Sequence, residues 1–413
     1  MSRTGGIPVA HGGEDVKDAH VNLAARRLGA GVIAASDEFF GEKENLLRAE
    51  RPAFRPHTFG HKGQIVDGWE SRRRRVPGHD WALIRLGAPG VIHAVVVDTA
   101  HFTGNFPAAC SVEACAVEGY PSADELQAPG QAWVQIVPRS PLAGDSENRF
   151  AVTDPRRFTH LRLTIYPDGG VARLRAEGEV VPDPRLLDGP LDLAALENGG
   201  TVADASDRFY SPPENMISPG LAAVMGDGWE TRRRRDSGHD WVLLRLAEAG
   251  HISQAVLDTS CFLGNAPGAA ALLGCAAGAA GPDAAEWFEL LPLTGLQPDT
   301  RHRLRLGQAA ARLVSHVRLE IHPDGGMARL RLFGELTADG RARLGLAWFD
   351  RLPADHAATV LVGECGLTGQ AAAELAGQRP FNEPARLHAL LSGGELASLD
   401  AATAARVRAM ILG

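Results

Sequence analysis

The sequence predicts an all-β fold of two tandem antiparallel β-sandwich domains, followed by a short helical appendage. A domain-sized block occurs twice in the 413 residues. Within each copy, short segments rich in Val, Ile, Leu and Thr alternate apolar with polar residues, as half-buried strands do. Asp-Gly, Gly-Asn and Pro-Asp-Gly-Gly turns separate these segments, and the chain contains 47 Gly and 26 Pro. Such turns favour antiparallel strands over β-α-β units, which need helical crossovers.

The repeat is clearest in two blocks. Residues 67–86 (DGWESRRRRVPGHDWALIRL) match residues 227–246 (DGWETRRRRDSGHDWVLLRL) at 15 of 20 positions, and residues 159–175 match residues 315–331 at 12 of 17. Solenoid and propeller units are only ~20–50 residues long, so a repeat of this length indicates a duplicated domain. The predicted parts are, in order, a first repeat at 27–187, a second repeat at 198–345 and a helical appendage at 346–413.

The elements of the first copy can be predicted in chain order. A helical period covers residues 18–29. The strands expected after it are WALIRLG (81–87), VIHAVVVDT (91–99), AWVQIVP (132–138), HLRLTIYP (160–167) and ARLRAEGEV (172–180). Residues 180–200 are expected to link the copies, and a helical period returns after residue 348.

Composition narrows the class of protein. With 42 Lys and Arg against 50 Asp and Glu, the net charge is −8, which disfavours nucleic acid and anionic membranes as partners. No stretch approaches the ~20 consecutive apolar residues of a membrane span, and the amino terminus has no apolar core of a signal peptide. We therefore expect a cytoplasmic protein. The five cysteines contain no C-x-x-C pair and are expected to pack in the core.

Polar residues that could do chemistry are concentrated in the arginine-rich block. In the first copy they are Glu70, Arg72, Arg74, His79 and Asp80, and in the second copy Glu230, Arg232, Arg234, His239 and Asp240. In an extended run, Arg72 and Arg74 point to one side, where a guanidinium can bind a carboxylate bidentately. The alternative is a solvated edge strand with surface ion pairs.

His79 and Asp80 lie directly before a predicted strand, at a strand entrance where loops present functional side chains. An imidazole can transfer a proton near neutral pH, and a neighbouring carboxylate can orient it or bind a metal. In the alternative interpretation, Asp80 caps the turn and His79 bonds to a backbone carbonyl. The recurrence of the pair in both copies is compatible with either interpretation.

A second polar stretch, DTAHFTGN, adds His101 and Asn105 after a core strand. The second copy has Cys261 in place of His101 and Leu263 in place of Thr103. If one copy has kept a richer polar site, it is therefore the first. Drift of the two loops after duplication would produce the same difference.

These blocks resemble the allantoicase family. The motifs that carry the resemblance are RRLGAGVIAASDEFFGEKENLL, DGWESRRRR-x-x-GHDW, VDTAHFTGNFP and H-x-R-L-x-I-x-PDGG-x-ARLR, the last three in both halves. The resemblance implies two repeats, each a jelly roll similar to galactose-binding and discoidin-type domains. It also implies hydrolysis of allantoate to ureidoglycolate and urea in purine breakdown.

Allantoate carries a carboxylate and two ureido groups on one carbon, which suggests roles for the residues found. Arg72 or Arg74 would hold the carboxylate, with His101 and Asn105 as further substrate contacts. His79 would transfer the proton, and Asp80 or Glu70 would orient it or contact a divalent metal such as Mn. The matching residues of the second copy are candidates for the same roles. The alternative function is a non-catalytic module that binds a small ligand or carbohydrate.

Residues 346–381 resemble the start of the ureidoimidazoline decarboxylase family, a leucine-rich helical stretch that ends in Arg-Pro-Phe. The His-Pro block of that family would lie beyond residue 413, and neither His356 nor His388 sits in such a context. We therefore expect a helical appendage that packs on a repeat or on another subunit, without decarboxylase activity. A bifunctional enzyme is the third hypothesis. The expected small-molecule partner is allantoate, and the chain is expected to form a homo-oligomer.

Overall fold

The computed structural model describes residues 20–54, 56–61, 63–278, 281–393 and 399–413. Two β-rich repeats are followed by a group of helices, and the strand pairs of the described residues are antiparallel. The strands of the first repeat are β1 (Val21–Asn22), β2 (Gly31–Ala35), β3 (Phe59–Gly60), β4 (Gly63–Gln64), β5 (Trp69–Glu70), β6 (Asp80–Asp98), β7 (Ala109–Cys115), β8 (Val134–Pro141), β9 (Glu147–Ala151), β10 (Arg157–Tyr166), β11 (Gly170–Val171) and β12 (Arg173–Val180). A short helix, α1 (Ala123–Gln127), lies between β7 and β8.

The second repeat reproduces this order, without counterparts of β3, β4 and α1 among the described residues. Its strands are β13 (Leu191–Asp192), β14 (Thr201–Ala205), β15 (Trp229–Glu230), β16 (Asp240–Asp258), β17 (Ala269–Cys275), β18 (Phe288–Gly295), β19 (Arg301–Arg305), β20 (Val314–His322), β21 (Gly326–Met327) and β22 (Arg329–Leu336). The helices that follow are α2 (Ala338–Arg351), α3 (Ala354–Cys365), α4 (Gly369–Gly377), α5 (Pro384–Ser392) and α6 (Ala401–Leu412). The predicted all-β class with carboxy-terminal helices is confirmed.

The long strand β6 organises the first repeat. Its first part, residues 80–85, pairs with β2 and β10, and its last part, residues 94–98, pairs with β9 and β12. β7 and β8 extend the sheet beyond β10, and β1 extends it beyond β12. One strand thus belongs to both halves of the sheet, and the apolar side chains of the two halves form a shared core. β16 has the same four kinds of partner in the second repeat.

The predicted strands at 81–87 and 91–99 are therefore parts of one continuous strand. The glycines between them serve close packing of the backbone. A Cβ at Gly90 would lie 2.0 Å from the carbonyl oxygen of Glu179, and one at Gly87 would lie 2.6 Å from Cβ of Leu28. Glycine at these positions allows neighbouring chain segments to approach while the strand continues.

The prediction of a helix at 18–29 was wrong for the part of it that the structure describes; residues 18 and 19 lie outside the described residues. Val21 pairs with Gly178 in the sheet, and only residues 26–28 form a turn of 3-10 helix. Leu23 and Ala24 are fully buried. Because consecutive apolar side chains all enter the core, their spacing imitates a helical period without reporting a helix.

The carboxy-terminal helices pack against the first repeat. Their core contains Trp348, Phe349 and Phe381, and it also includes Val91 and Val181 of the first repeat. The first of these helices, α2, begins directly after β22, where the side chain of its N-cap Thr337 accepts a hydrogen bond from the backbone of the first helical turn. No helix among the described residues is long and apolar enough to cross a membrane.

A group of ion pairs joins these helices to the first repeat. Nε2 of His356 lies 2.6 Å from Oε1 of Glu118, and Arg185 contacts both Glu118, at 3.0 Å, and Glu364, at 3.1 Å. The hydrogen bond from His356 and the charge of Arg185 outweigh burial and lower the pKa of Glu118 to about 2. Ionised Glu118 therefore stabilises the packed arrangement.

We expect Glu118→Gln to destabilise the protein at neutral pH, with the difference from wild type shrinking as the pH falls. A carboxyl whose folded pKa is lowered contributes stability above its ordinary value of 4.5, and that contribution disappears as the pH approaches about 2. Thermal unfolding of both proteins between pH 7 and pH 3 measures this. Glu364→Gln is the control, because Glu364 also contacts Arg185 and is exposed to a similar extent (54% against 44%), whereas Glu118 in addition binds the buried His356. A difference for Glu118→Gln that stays constant with pH would contradict the argument.

Candidate active site

Glu70 is held at a crossing of two backbone segments. β5 pairs with β11 so that Glu70 faces Gly170, and the backbone N–H of Glu70 also donates to the carbonyl of Gly41 at 3.1 Å. Gly170 must be a glycine, because a Cβ there would lie 2.0 Å from the ring of Phe102. The neighbouring Trp69 is fully buried and fixes the strand from the core side.

The loop after β6 brings His101 and Asn105 to the same place. His101 has φ 68°, a left-handed conformation, and its N–H donates to Oδ1 of Asp145 at 2.7 Å. The carbonyl of Asn105 accepts a hydrogen bond from Gly170 at 2.8 Å, while its side-chain Nδ2 donates to Oε1 of Glu70 at 2.7 Å. Three predicted site residues from two separate blocks thus come together, with Asn105 bound to the carboxylate of Glu70.

These residues line a pocket of about 350 Å³. Ligand pockets typically measure ~300–1,000 Å³, so this pocket lies at the small end of that range. Its lining combines apolar side chains with six polar or charged ones. Its lining residues are Phe40, Ala53, Phe54, Gly63, Gln64, Val66, Asp67, Glu70, Ala100, His101, Phe102, Thr103 and Asn105. Of the two carboxylates in this lining, Glu70 is the one whose pKa is raised by burial, so it is better suited to holding a proton than Asp67.

The electrostatics of the pocket support proton transfer. Burial raises the pKa of Glu70 above its ordinary value, and the hydrogen bond from Asn105 only partly opposes this. Nε2 of His101 lies 3.1 Å from the carbonyl oxygen of Pro52, which can only accept, so Nε2 carries a proton.

The predicted substrate arginines are engaged elsewhere. Nε of Arg72 donates to Oδ2 of Asp37 at 2.7 Å, and Nη1 of Arg74 donates to Oδ1 of Asp80 at 2.8 Å. Neither arginine is among the described residues that line the Glu70 pocket. Both guanidinium groups already have a carboxylate partner. The Arg72 side chain is exposed, as the surface ion-pair interpretation expected, whereas the pair of Arg74 with Asp80 is largely buried.

Asp80 and His79 have separate surroundings. Asp80 is 2% exposed, and besides Arg74 it accepts a hydrogen bond from Oγ of Ser36 at 3.0 Å. His79 lies at a hollow on the face of the sheet, with its ring 5.6 Å from that of Tyr166. The structure therefore brings Glu70, His101 and Asn105 together, places Asp80 with Arg74 in a largely buried ion pair, and places His79 in another hollow.

The second repeat keeps much of this geometry but changes its chemistry. Asn265 donates to Oε1 of Glu230 at 2.7 Å, and Cys261 has the left-handed φ of 72° seen at His101. The arginine contacts recur as well, with Arg232 paired to Asp207 at 3.0 Å and Arg234 paired to Asp240 at 2.8 Å. The His239 ring lies beside Glu320, 3.5 Å from Nε2 to Oε1. The imidazole of His101, however, has no counterpart in the loop of the second repeat.

The family comparison agrees with the repeat architecture. The chain matches the family described as "Allantoicase repeat" over residues 21–181 and again over residues 191–337. The chain belongs to the allantoicase family. The expected allantoicase repeats are confirmed in two copies, and helices α2 to α6 lie outside both matched ranges.

Curated relatives and a solved structure of the allantoicase family cover the same part of the chain. A "Probable allantoicase" of Streptomyces coelicolor is 54% identical over 79% of this chain and 88% of its own length. Another "Probable allantoicase", of Nocardia farcinica, is 58% identical over 76% of this chain and 94% of its own length. The crystal structure of allantoicase from Saccharomyces cerevisiae is 33% identical, with a TM-score of 0.66, and covers 78% of this chain and 94% of that chain.

Some residues of the allantoicase fold that matter here were missed in the sequence. Ser36 binds Asp80, and Asp37 binds Arg72. Both could have been recognised in the sequence, because the pair recurs as Ser206 and Asp207 at the start of a repeated block. Phe54 lies in a stretch that does not recur clearly, so no signal marked it. The pocket could not be assembled from motif positions without knowing how the loops pack.

Proposed function

We propose that this protein hydrolyses allantoate to ureidoglycolate and urea, and that the reaction takes place in the pocket around Glu70 of the first repeat. Membership of the allantoicase family supports the reaction. The observation that carries the location is a desolvated carboxylate with a raised pKa, hydrogen-bonded to Asn105 inside a pocket of ligand size.

The reaction needs a proton at the leaving group and a water at carbon. The bond between the central carbon and one ureido nitrogen breaks, the departing nitrogen gains a proton, and water supplies the hydroxyl that remains on carbon. A carboxyl group whose pKa is raised by burial keeps its proton to a higher pH than an ordinary glutamate, which suits it to donate that proton to the departing nitrogen. Glu70 then becomes a carboxylate that can take a proton from the attacking water.

Asn105 and His101 support Glu70 in different ways. The amide of Asn105 engages Oε1 and so fixes the direction of the other carboxyl oxygen. His101 is oriented by the contact of its Nε2 with the carbonyl of Pro52, and its ring lines the pocket, where it can contact the substrate. The first repeat is the active one in this proposal, because Cys261 replaces the imidazole in the second.

The catalytic and substrate roles of His79, Asp80, Arg72 and Arg74 stay predictions. Their surroundings favour a structural part for Asp80 and Arg74, which are bound to each other in a largely buried pair. Dependence on a divalent metal such as Mn also stays a prediction. Among the described residues, three or more potential metal-binding groups come within reach of one another only in the second repeat.

The test of the proposed reaction is release of urea and ureidoglycolate from allantoate by the purified full chain. It is run with the protein as purified, after EDTA treatment, and after addition of Mn²⁺. Urea formed in step with ureidoglycolate supports the proposal. If urea is absent under all three conditions while a carbohydrate or small ligand binds, the non-catalytic alternative replaces it.

For the appendage we propose a structural role. His356, one of its two histidines, is buried against Glu118, and the Trp348 cluster continues into the first repeat. Both contacts support packing in place of decarboxylation. The similarity of 346–381 to the decarboxylase family, a cytoplasmic location and a homo-oligomeric assembly stay predictions from the sequence.

A further inference from the structure

The second repeat contains a cluster of three metal-binding side chains outside the Glu70 pocket. His239 directly precedes β16, and Glu320 and His322 lie near the end of the neighbouring strand β20. Residues two apart on a strand point to the same face, so β20 presents Glu320 and His322 together. The pairing of Trp241 with Glu320 and of Asp240 with Ile321 brings His239 beside them.

The donor atoms are already close to coordination distance. One donor atom from each of the three side chains lies within 4.8 Å of the other two, and all three residues are half-buried. Nε2 of His239 is 3.5 Å from Oε1 of Glu320, and the two imidazole centroids are 4.4 Å apart. Tetrahedral zinc with bonds of ~2.0–2.1 Å keeps its ligand atoms about 3.3 Å apart, so small side-chain rotations are sufficient.

Two further observations point to a ligand at this position. Nε2 of His239 is buried and has no hydrogen-bond partner among the described residues. This nitrogen is therefore available to bind a metal ion. Nε of Arg318 lies 3.1 Å from Oε1 of Glu320, and its guanidinium stacks over Trp241 at 4.7 Å. Metal-binding carboxylates are typically held by such neighbouring groups.

The first repeat shows that the strand does not need these residues to fold. The positions equivalent to Glu320 and His322 carry Thr164 and Tyr166, while His79 is kept opposite them. The equivalent strand of the first repeat therefore forms with a threonine and a tyrosine, without an acidic side chain or an imidazole at these positions. The cluster thus depends on two substitutions that distinguish the copies.

We propose that His239, Glu320 and His322 form a binding site for a divalent transition metal of the zinc class. Two imidazoles and one carboxylate are a common three-ligand set for zinc, and they leave a fourth position for water or another ligand. Imidazole nitrogen favours Zn²⁺ over Mg²⁺ and Ca²⁺, which prefer oxygen ligands.

The test uses tag-free full-length protein treated with EDTA and then dialysed, titrated with Zn²⁺ in a calorimeter. Bound Co²⁺, followed by its visible absorption, reports the coordination geometry. The informative variants are His322→Tyr and Glu320→Thr, which install the residues of the first repeat and are expected to unfold at the wild-type temperature without metal. His251→Ala is the control, because it removes an exposed histidine of β16 outside the cluster.

We expect one Zn²⁺ per wild-type chain and per His251→Ala chain, with at least tenfold weaker binding in each of the other two variants. Zn²⁺ should raise the unfolding temperature of the wild type and leave that of His322→Tyr unchanged. The proposal is overturned if the wild type binds no Zn²⁺, or if His322→Tyr and Glu320→Thr bind it as tightly as wild type. Because binding and unfolding are measured without allantoate, the result is independent of the proposed reaction.

Discussion

Replacing Glu70 with Gln is expected to lower the turnover of allantoate by at least about 100-fold, within the 10²–10⁴-fold range of general acid–base catalysis. Glutamine keeps the shape of the side chain and can still accept the hydrogen bond from Asn105, but it cannot donate or take up the reacting proton. The expected loss is therefore in kcat, with little change in the unfolding temperature. Urea release at saturating allantoate and thermal unfolding measure the two quantities.

Glu230→Gln is the matched control, because Glu230 makes the same 2.7 Å hydrogen bond with Asn265 in the second repeat. It should retain most of the activity if the first repeat carries the reaction. His79→Ala, measured beside them, tests the histidine that the sequence favoured. Full activity of Glu70→Gln together with loss in His79→Ala would move the active site to the hollow beside Tyr166.

Much of the architecture could be predicted, because the duplication and the alternation of apolar and polar residues along each strand are visible in short stretches of the sequence. The repeated blocks defined two domains, and their alternating segments became β8, β10 and β12. That β6 is one continuous strand could not be predicted, because glycine occurs both in turns and where two backbone segments approach closely. The structure distinguishes the two, because a Cβ at Gly90 would clash with the carbonyl oxygen of Glu179.

The site was harder to predict, since its members are brought together by loop packing. Glu70 and Asn105 were both singled out, but in different blocks, and their hydrogen bond spans 35 positions of the chain. The arginines were attractive as substrate ligands because their carboxylate partners, Asp37 and Asp80, lie in other segments or were given another role. Conversely, counting identities between the copies drew attention away from Glu320, where the copies differ.

Replacing the buried Arg173 with Met is expected to lower the free energy of unfolding by about 3–5 kcal/mol, the usual result of removing one partner from a buried ion pair. The Arg173 side chain is 1% exposed, and its Nη2 donates to Oδ2 of Asp67 at 2.9 Å. Its Nε and Nη1 donate to the carbonyls of Glu50 and Asp67, at 3.0 and 2.9 Å. One guanidinium therefore holds the segment that supplies a wall of the Glu70 pocket.

Arg48→Met is the control that removes a positive charge near Asp67 without removing the buried hydrogen bonds. Arg48 contacts the Asp67 carboxylate at 3.3 Å but is 53% exposed. An exposed pair of this kind contributes only about 0–1 kcal/mol, so Arg48→Met should unfold close to wild type. Urea denaturation gives both free energies, and urea is removed before turnover is assayed. Arg173→Met should also lose turnover at temperatures where it is still folded, since Asp67 lines the pocket. Equal destabilisation by the two variants would mean that the charge on Asp67, and not the buried set of hydrogen bonds, secures the pocket wall.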